Sequence, residues 1–197
     1  MTTRTVAAFD FDGTLTRRDT LLPFLASYAG RAQVLSALAL SAPGGGGRDA
    51  LKERLLTRVL GGRALAEVVD AGNAFGAELA RAGIAPEMRS RLAWHRREGH
   101  EIVILSATLD VYLDEVGRAL GVEHVLCTRL DVDNAARVTG KLESANCRGA
   151  EKAARLRAYV DQETVLWAYG DSGGDREMLA MAHHPVRVRR GAIRSGA

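Results

Sequence analysis

The sequence predicts an α/β fold: a mostly parallel sheet with helices on both faces, and a small helical bundle inserted after the first strand. Three observations carry this. "TVAAFDF" near the N-terminus is a short apolar run with the composition of a strand buried on both faces. From Asp19 to about Leu79 the pattern is helical, with no convincing strand. From Pro86 onward strands and helices alternate, as in a parallel sheet with crossover helices. On this reading residues 1–16 and 83–197 form the core and residues 17–82 a cap.

Each element has its own signal. "TLLPFLASYAG" and "AQVLSALALSA" place Leu and Ala at helical spacing. "PGGGGRD" breaks the chain, and Asp49 is placed to cap the next helix, "ALKERLLTRVLGG". "ALAEVVDAGNAFGAELARAG" continues as a fourth helical run. Pro86 opens a helix to His95 or Arg97. "EIVILSA" is the clearest strand, and Asp110 begins the helix after it. "EHVLCTRL" reads as one strand, with "RVTGKL" a hairpin arm beyond the "DVDN" turn. Gly149 to Tyr159 is helix, "TVLWAYG" strand and "DREMLAMA" helix ended by His183 and His184; "PVRVR" is a final strand.

Composition narrows the function classes. With 197 residues, 47% hydrophobic and 26% charged, the chain can bury a substantial core. A net charge of +3 permits anionic partners without requiring them. Four arginines fall between Arg187 and Arg194, but no aromatic residues interleave to stack bases, so nucleic-acid binding is disfavoured and a solvated basic end is the simpler reading. Cys127 and Cys147 share no metal-ligand spacing and suggest no disulfide scaffold. Absence of a signal-peptide pattern and of a membrane-length apolar run makes a cytoplasmic protein the expectation.

In open parallel sheets, ligands bind beyond the carboxyl ends of the strands. Asp10 and Asp12 end the first strand, Ser106 ends "EIVILS", and Asp171 and Asp175 follow "TVLWAY" in "GDSGGD". Lys152 lies near the start of a helix. Carboxylates, a hydroxyl and an ammonium gathered together are coherent when a cation and an anion share the site. Carboxylate oxygens suit Mg2+, while the hydroxyl, the ammonium and backbone N–H groups suit phosphate oxygens. Singly, each has a bland alternative: a loop D-x-D, a strand-end hydroxyl, a solvated lysine, a helix cap. Their order at equivalent strand ends argues for a site.

"DFDGTL", Ser106 in "ILSAT", Lys152 and "GDSGGDREML" together resemble the four motifs of the haloacid dehalogenase-like phosphatases, with their Rossmann-like core. The inserted helices resemble the small cap of the phosphoserine phosphatase-like subgroup, and "FDFDGTLTRRDTLLPFL" resembles its subfamily IB. The resemblance implies a Mg2+-dependent phosphatase acting on a small phosphomonoester. Asp10 would attack phosphorus to form an aspartyl-phosphate, and Asp12 would act as general acid and then base. Asp10, the Asp12 carbonyl and Asp171 would hold the metal, with Asp175 completing or supporting that shell. Gly13, Thr14, Ser106, Ala107 and Lys152 would bind the phosphoryl group. Dehalogenating relatives lack the second aspartate, so Asp12 favours phosphoryl chemistry.

Substrate choice would rest with the cap. Arg17 and Arg18 admit two readings, solvation of the hinge or contact with a second anionic group. Asp19 either caps "TLLPFL" or reads a substrate amine, and Arg58 would read a carboxylate as in phosphoserine phosphatases. A phosphatidylglycerophosphate or other lipid-headgroup substrate would use an apolar cap face such as "VLSALALSA", although packing four helices needs the same stripe. The "GGGG" run from Gly44 to Gly47 lacks the Lys-Ser/Thr of a P-loop and reads as a flexible cap loop. A phospho-ligand-binding protein without turnover is the alternative of a different class.

Overall fold

A computed structural model describes residues 4–42 and 45–194. Strand β1 (Thr5–Phe9) lies inside a six-stranded sheet with β2 (Glu101–Leu109), β3 (His124–Thr128), β6 (Val165–Gly170), β7 (His184–Arg189) and β8 (Ala192–Ile193), in the order β3-β2-β1-β6-β7-β8. All neighbours pair in parallel except β7 and β8, which form a hairpin. Antiparallel β4 (Leu130–Val132) and β5 (Val138–Leu142) stand apart as a two-stranded sheet.

The central strands alternate between two apolar layers, which is why their sequences are continuous apolar runs. Ala7, Phe9, Ile102 and Ile104 face Met88 and Leu92 of α5 (Pro86–Arg97) and Leu113 and Val116 of α6 (Asp110–Leu120). Val6, Ala8, Val103 and Leu105 face Leu156 of α7 (Ala150–Tyr159) and Met178 and Leu179 of α8 (Arg176–Met181). Helices therefore cover both faces of the sheet. His95 is buried against the Phe9 and Tyr169 rings, and its Nε2 lies 2.9 Å from the Tyr169 hydroxyl.

The inserted cap comprises α1 (Leu21–Ala29), α2 (Arg31–Ser41), α3 (Gly47–Leu60) and α4 (Leu65–Glu78). Phe24, Leu25, Leu55, Leu56, Val59 and Val68 pack together, but they share their core with Leu109, Val111 and Tyr112 at the start of α6 and with Leu130 and Val138 of the hairpin. The link between α3 and α4 is stitched to that hairpin: Gly62 N donates to Val138 O (2.8 Å) and Val138 N to Arg63 O (2.9 Å). On α2, Val34, Ala37 and Ser41 turn inward, whereas Leu35 and Leu40 are exposed. Packing thus takes one stripe of "VLSALALSA" and leaves two leucines outside.

Several boundaries differ from expectation for tertiary reasons. "EHVLCTRL" is not one strand: β3 ends at Thr128, and Leu130 opens β4, its N–H donating to Asp110 Oδ1 (3.3 Å) as the chain leaves to meet the cap. Asp49 does not cap α3, which begins at Gly47; it sits in the first turn and accepts from Asn146 Nδ2 (2.7 Å). Asp175 stands just ahead of α8, at the end of a 3-10 turn over Gly173–Asp175, rather than opening the helix as in "DREMLAMA". His183 and His184 lie beyond α8, which stops at Met181; His183 Nδ1 accepts from Leu166 N (3.1 Å) and His184 begins β7. Of the "GGGG" run, Gly44 lies outside the described residues, and Gly47 already belongs to α3.

Helices α4 and α6 approach closely where Gly72 and Gly76 face the α6 backbone; a Cβ on Gly72 would overlap the Val111 carbonyl. On an exposed helix face Gly→Ala stabilises by about 1 kcal/mol. Gly72→Ala should instead destabilise by about 1–3 kcal/mol through overpacking, read as a lower urea midpoint at unchanged slope. A gain in stability would show that the two helices do not touch there.

Candidate active site

Strand order reverses at β1: β2 leads on to β3 and β6 to β7 in opposite directions across the sheet, so their carboxyl ends flank a topological switch point. Phe9 pairs with both Ile104 and Tyr169, and Asp10, Ser106 and Asp171 therefore follow at nearly the same level. Asp10 N is held by Tyr169 O (2.9 Å). Beyond it, residues Phe11–Leu15 form one wide turn with Gly13 at φ 81°, in the left-handed region. A Cβ on Gly13 would overlap the Asp171 carboxylate, so glycine is needed there for both space and conformation.

One carboxylate oxygen from each of Asp10, Asp171 and Asp175 lies within 4.8 Å of the others. Lys152, in the first turn of α7, places Nζ 2.7 Å from Asp10 Oδ1 and 2.5 Å from Asp175 Oδ1. Asp175 Oδ2 accepts from Ser172 N (3.0 Å) and Oγ (2.9 Å), closing a capping box that fixes its direction. Burial opposes charge on Lys152, but the Asp10 and Asp175 carboxylates outweigh it and raise its pKa. Burial drives the Asp10 carboxyl upward; Lys152 pulls it back and Asp175 adds to the rise. Three carboxylates against one ammonium leave two negative charges unmatched. An all-oxygen donor set with that excess can coordinate a divalent metal ion.

Asp12 faces a different environment. Its Oδ1 accepts from Thr20 N (2.9 Å) and Thr20 Oγ1 (2.7 Å), and its Oδ2 from Thr108 Oγ1 (2.6 Å). The Thr20 hydroxyl also meets Tyr112 Oη at 3.0 Å. Burial pushes the Asp12 carboxyl up to about 6, Asp19 adds to the push, and the Thr108 and Thr20 hydrogen bonds work against it. The carboxyl is thus clamped in one orientation while holding its proton more tightly than an ordinary aspartate.

Ser106 is buried, and its Oγ accepts from Thr108 N (3.1 Å). The Ala107 carbonyl accepts from Lys52 Nζ (2.6 Å), which also reaches Asn146 Oδ1 (3.0 Å). Thr14 is fully buried, and its Oγ1 has no hydrogen-bond partner among the described residues. The structure thus brings Asp10, Asp12, Gly13, Thr14, Ser106, Ala107, Lys152, Asp171 and Asp175 to one end of the sheet. Arg17, Arg18 and Asp19 are exposed at the start of the cap; Asp19 Oδ1 accepts from Leu21 N (3.0 Å) across Thr20, but the N-cap position of α1 is Thr20, so Asp19 does not cap that helix. Arg58 is exposed and donates to the Leu40 carbonyl (3.3 Å); none of its hydrogen bonds is with the carboxylate cluster.

Sequence reasoning missed Thr20, Thr108, Tyr112, Lys52 and Asn146. Thr108 was within reach, since it lies two residues after Ser106 in "ILSAT". Lys52 carried no signal: it is one of several cations on α3, and its partners are 55 and 94 residues away. Burial lowers its pKa to about 8, with Asp49 and Asp12 working in the opposite direction.

A family model described as haloacid dehalogenase-like hydrolase matches residues 7–180. Protein CicA of Caulobacter vibrioides is 34% identical over 194 residues, covering 94% of this chain and 87% of that protein. Probable phosphatase Rv3661 of Mycobacterium tuberculosis is 27% identical over 196 residues, covering 92% and 67%. Among solved structures, a Bordetella pertussis Tohama I protein of unknown function superposes with a TM-score of 0.80 at 21% identity, over 94% of this chain and 90% of that one. A substrate-bound phosphoserine phosphatase gives 0.65 at 19% identity, over 92% and 84%. These two structural likenesses concern the fold.

Removing the ammonium should expose the charge imbalance. Lys152→Met should cost about 3–5 kcal/mol in urea denaturation without metal, because two buried carboxylates lose their shared partner. Adding a divalent cation should recover part of the loss. Equal stability of variant and wild type would show that the three groups are not coupled.

Proposed function

The chain belongs to the haloacid dehalogenase-like hydrolases, and on that premise we propose that it is a Mg2+-dependent phosphatase hydrolysing a small phosphomonoester through an aspartyl-phosphate on Asp10. The observation that carries this reading is the pairing of two unlike aspartates: Asp10 in the carboxylate–lysine cluster, and Asp12 beside it, clamped by Thr20 and Thr108.

Each group's surroundings match its role. Lys152 engages Asp10 Oδ1 and holds the carboxylate that would attack phosphorus. The P–O bond to the leaving group breaks as the Asp10–phosphorus bond forms, and Asp12 gives its proton to the departing oxygen. Asp12 then takes a proton from water as the water oxygen attacks phosphorus, releasing inorganic phosphate and restoring the Asp10 carboxylate. Three hydrogen bonds aim the Asp12 carboxyl for both steps. Ser106 Oγ, which among the described residues acts only as an acceptor from Thr108 N, keeps its proton to donate to a phosphoryl oxygen. Lys152 and the Ala107 N–H would bind the remaining charge, and the glycine at residue 13 lets the backbone approach it.

Asp10, Asp171, the Asp12 carbonyl and Asp175, directly or through the first three, would hold Mg2+, which supplies charge neutralisation at the phosphoryl oxygens when bound. A phosphoserine substrate is less favoured than a broader phosphomonoester, because Arg58 is engaged at the Leu40 carbonyl.

Asp10→Asn should abolish Mg2+-dependent phosphate release and intermediate formation while leaving the circular-dichroism spectrum intact. Retained turnover would remove Asp10 as nucleophile and with it the mechanism. Asp12→Asn should slow single-turnover phosphorylation by an alkyl phosphate at least tenfold more than by p-nitrophenyl phosphate, whose leaving group needs little acid assistance. Equal slowing of both would strip Asp12 of the acid role.

A further inference from the structure

The hairpin of β7 and β8 turns through Arg190 and Gly191, both at positive φ (51° and 75°). Two-residue hairpin turns want glycine or asparagine at such positions, and a residue with a Cβ costs about 1–2 kcal/mol in the left-handed region. Gly191 meets that demand. Arg190 does not, and its guanidinium makes no hydrogen bond or ion pair among the described residues that would offset the strain.

Arg190 is one of a group. Arg189, Arg190 and Arg194 line a cavity of about 370 Å³ together with Val188 and Asp171. That volume lies within the range of about 300–1,000 Å³ usual for small-molecule sites. None of the three side chains is paired among the described residues, whereas Arg4, Arg81, Arg118 and Arg129 all face carboxylates. The hairpin is also fixed to the site: Gly191 N donates to Gly13 O (3.1 Å), and a Cβ on Gly191 would overlap Ala85 and come within 3.4 Å of Arg17 Cγ. Unpaired cations therefore border the same cavity as one acidic side chain of the carboxylate cluster, on a turn hydrogen-bonded to the loop that carries Asp12.

Three cations on one cavity wall repel one another, and the Asp171 carboxylate is a single acidic group among the lining residues, so the wall as a whole favours an anion. We propose that Arg189, Arg190 and Arg194 form a subsite for a second anionic group on the substrate, so that the preferred phosphomonoester carries a further phosphate or phosphodiester on its leaving group. The proposal rests on the phosphatase reading and narrows its substrate class. Such chemistry occurs in soluble bisphosphates and in phosphorylated lipid headgroups.

The test compares matched substrates in Mg2+: propyl phosphate with 1,3-propanediol bisphosphate, and glycerol 3-phosphate with water-soluble dihexanoyl phosphatidylglycerophosphate. Wild type is set against Arg190→Asn, which suits the turn, and Arg190→Asn with Arg194→Gln; thermal melts report folding. We expect wild type to favour the doubly anionic member at least tenfold in kcat/KM, and the double variant to lose that preference through KM. Loss confined to the lipid pair would identify a headgroup, and loss in the bisphosphate pair a soluble ligand. An unchanged preference, with p-nitrophenyl phosphate still hydrolysed, would overturn the subsite and leave the phosphatase reading intact. If wild type hydrolyses nothing, that reading fails. Calorimetric titration with methylenebisphosphonate then decides the subsite: tighter binding than methylphosphonate, lost in the double variant, upholds it, and equal binding overturns it.

Discussion

Lys152 holds a buried ammonium between two buried carboxylates, and the geometry of the catalytic end of the sheet depends on that arrangement. The three groups come from the end of β1, the first turn of α7 and the residue before α8, so their contact fixes the central strand against both helices of one face. The position is electrostatically awkward. A cation near a helix N-terminus opposes the helix dipole, and each buried charge carries several kcal/mol of desolvation. Such a cluster is poor value as a structural staple but well suited to a site that handles anions, because its charges are already stripped of water and pointing inward.

A second chain of contacts links the cap to Asp12 and to the loop after β2. Asp12 is held by Thr20, at the threshold of α1, and Thr20 meets Tyr112, which packs against Phe24 and Phe75 of the cap. From the other side, Lys52 of α3 reaches the Ala107 carbonyl beside Ser106. The orientation of Asp12 and the placement of the loop after β2 are therefore both tied to cap helices. Cap residues far from Asp12 and Ser106 have a route to influence both through these hydrogen bonds.

Much of this was legible in the sequence because the polar cluster sits at strand ends. A strand buried on both faces announces itself as a run such as "EIVILS", and a polar residue closing that run stands out. Asp10, Ser106 and Asp171 are visible for this reason, and the parallel topology brings them together. Lys52 and Asn146 were hidden because they lie on ordinary polar stretches and find their partners only through the fold. The two-residue strand β8 was missed because nothing in "GAIR" distinguishes a strand of that length. "EHVLCTRL" misled because its second half answers to the cap and to Asp110 rather than to the sheet.

The shared core around Tyr112 bears on how freely this cap could be exchanged. Leu109, Val111, Tyr112, Leu130 and Val138 are all buried beneath cap side chains, although none belongs to the inserted segment. Excising or swapping the insert as a cassette would bare an apolar surface on the core, and a transplanted cap would have to match it side chain for side chain. The insert is contiguous in sequence but not autonomous in energy. New specificities are therefore more accessible by substitution at its rim than by recombination of whole caps.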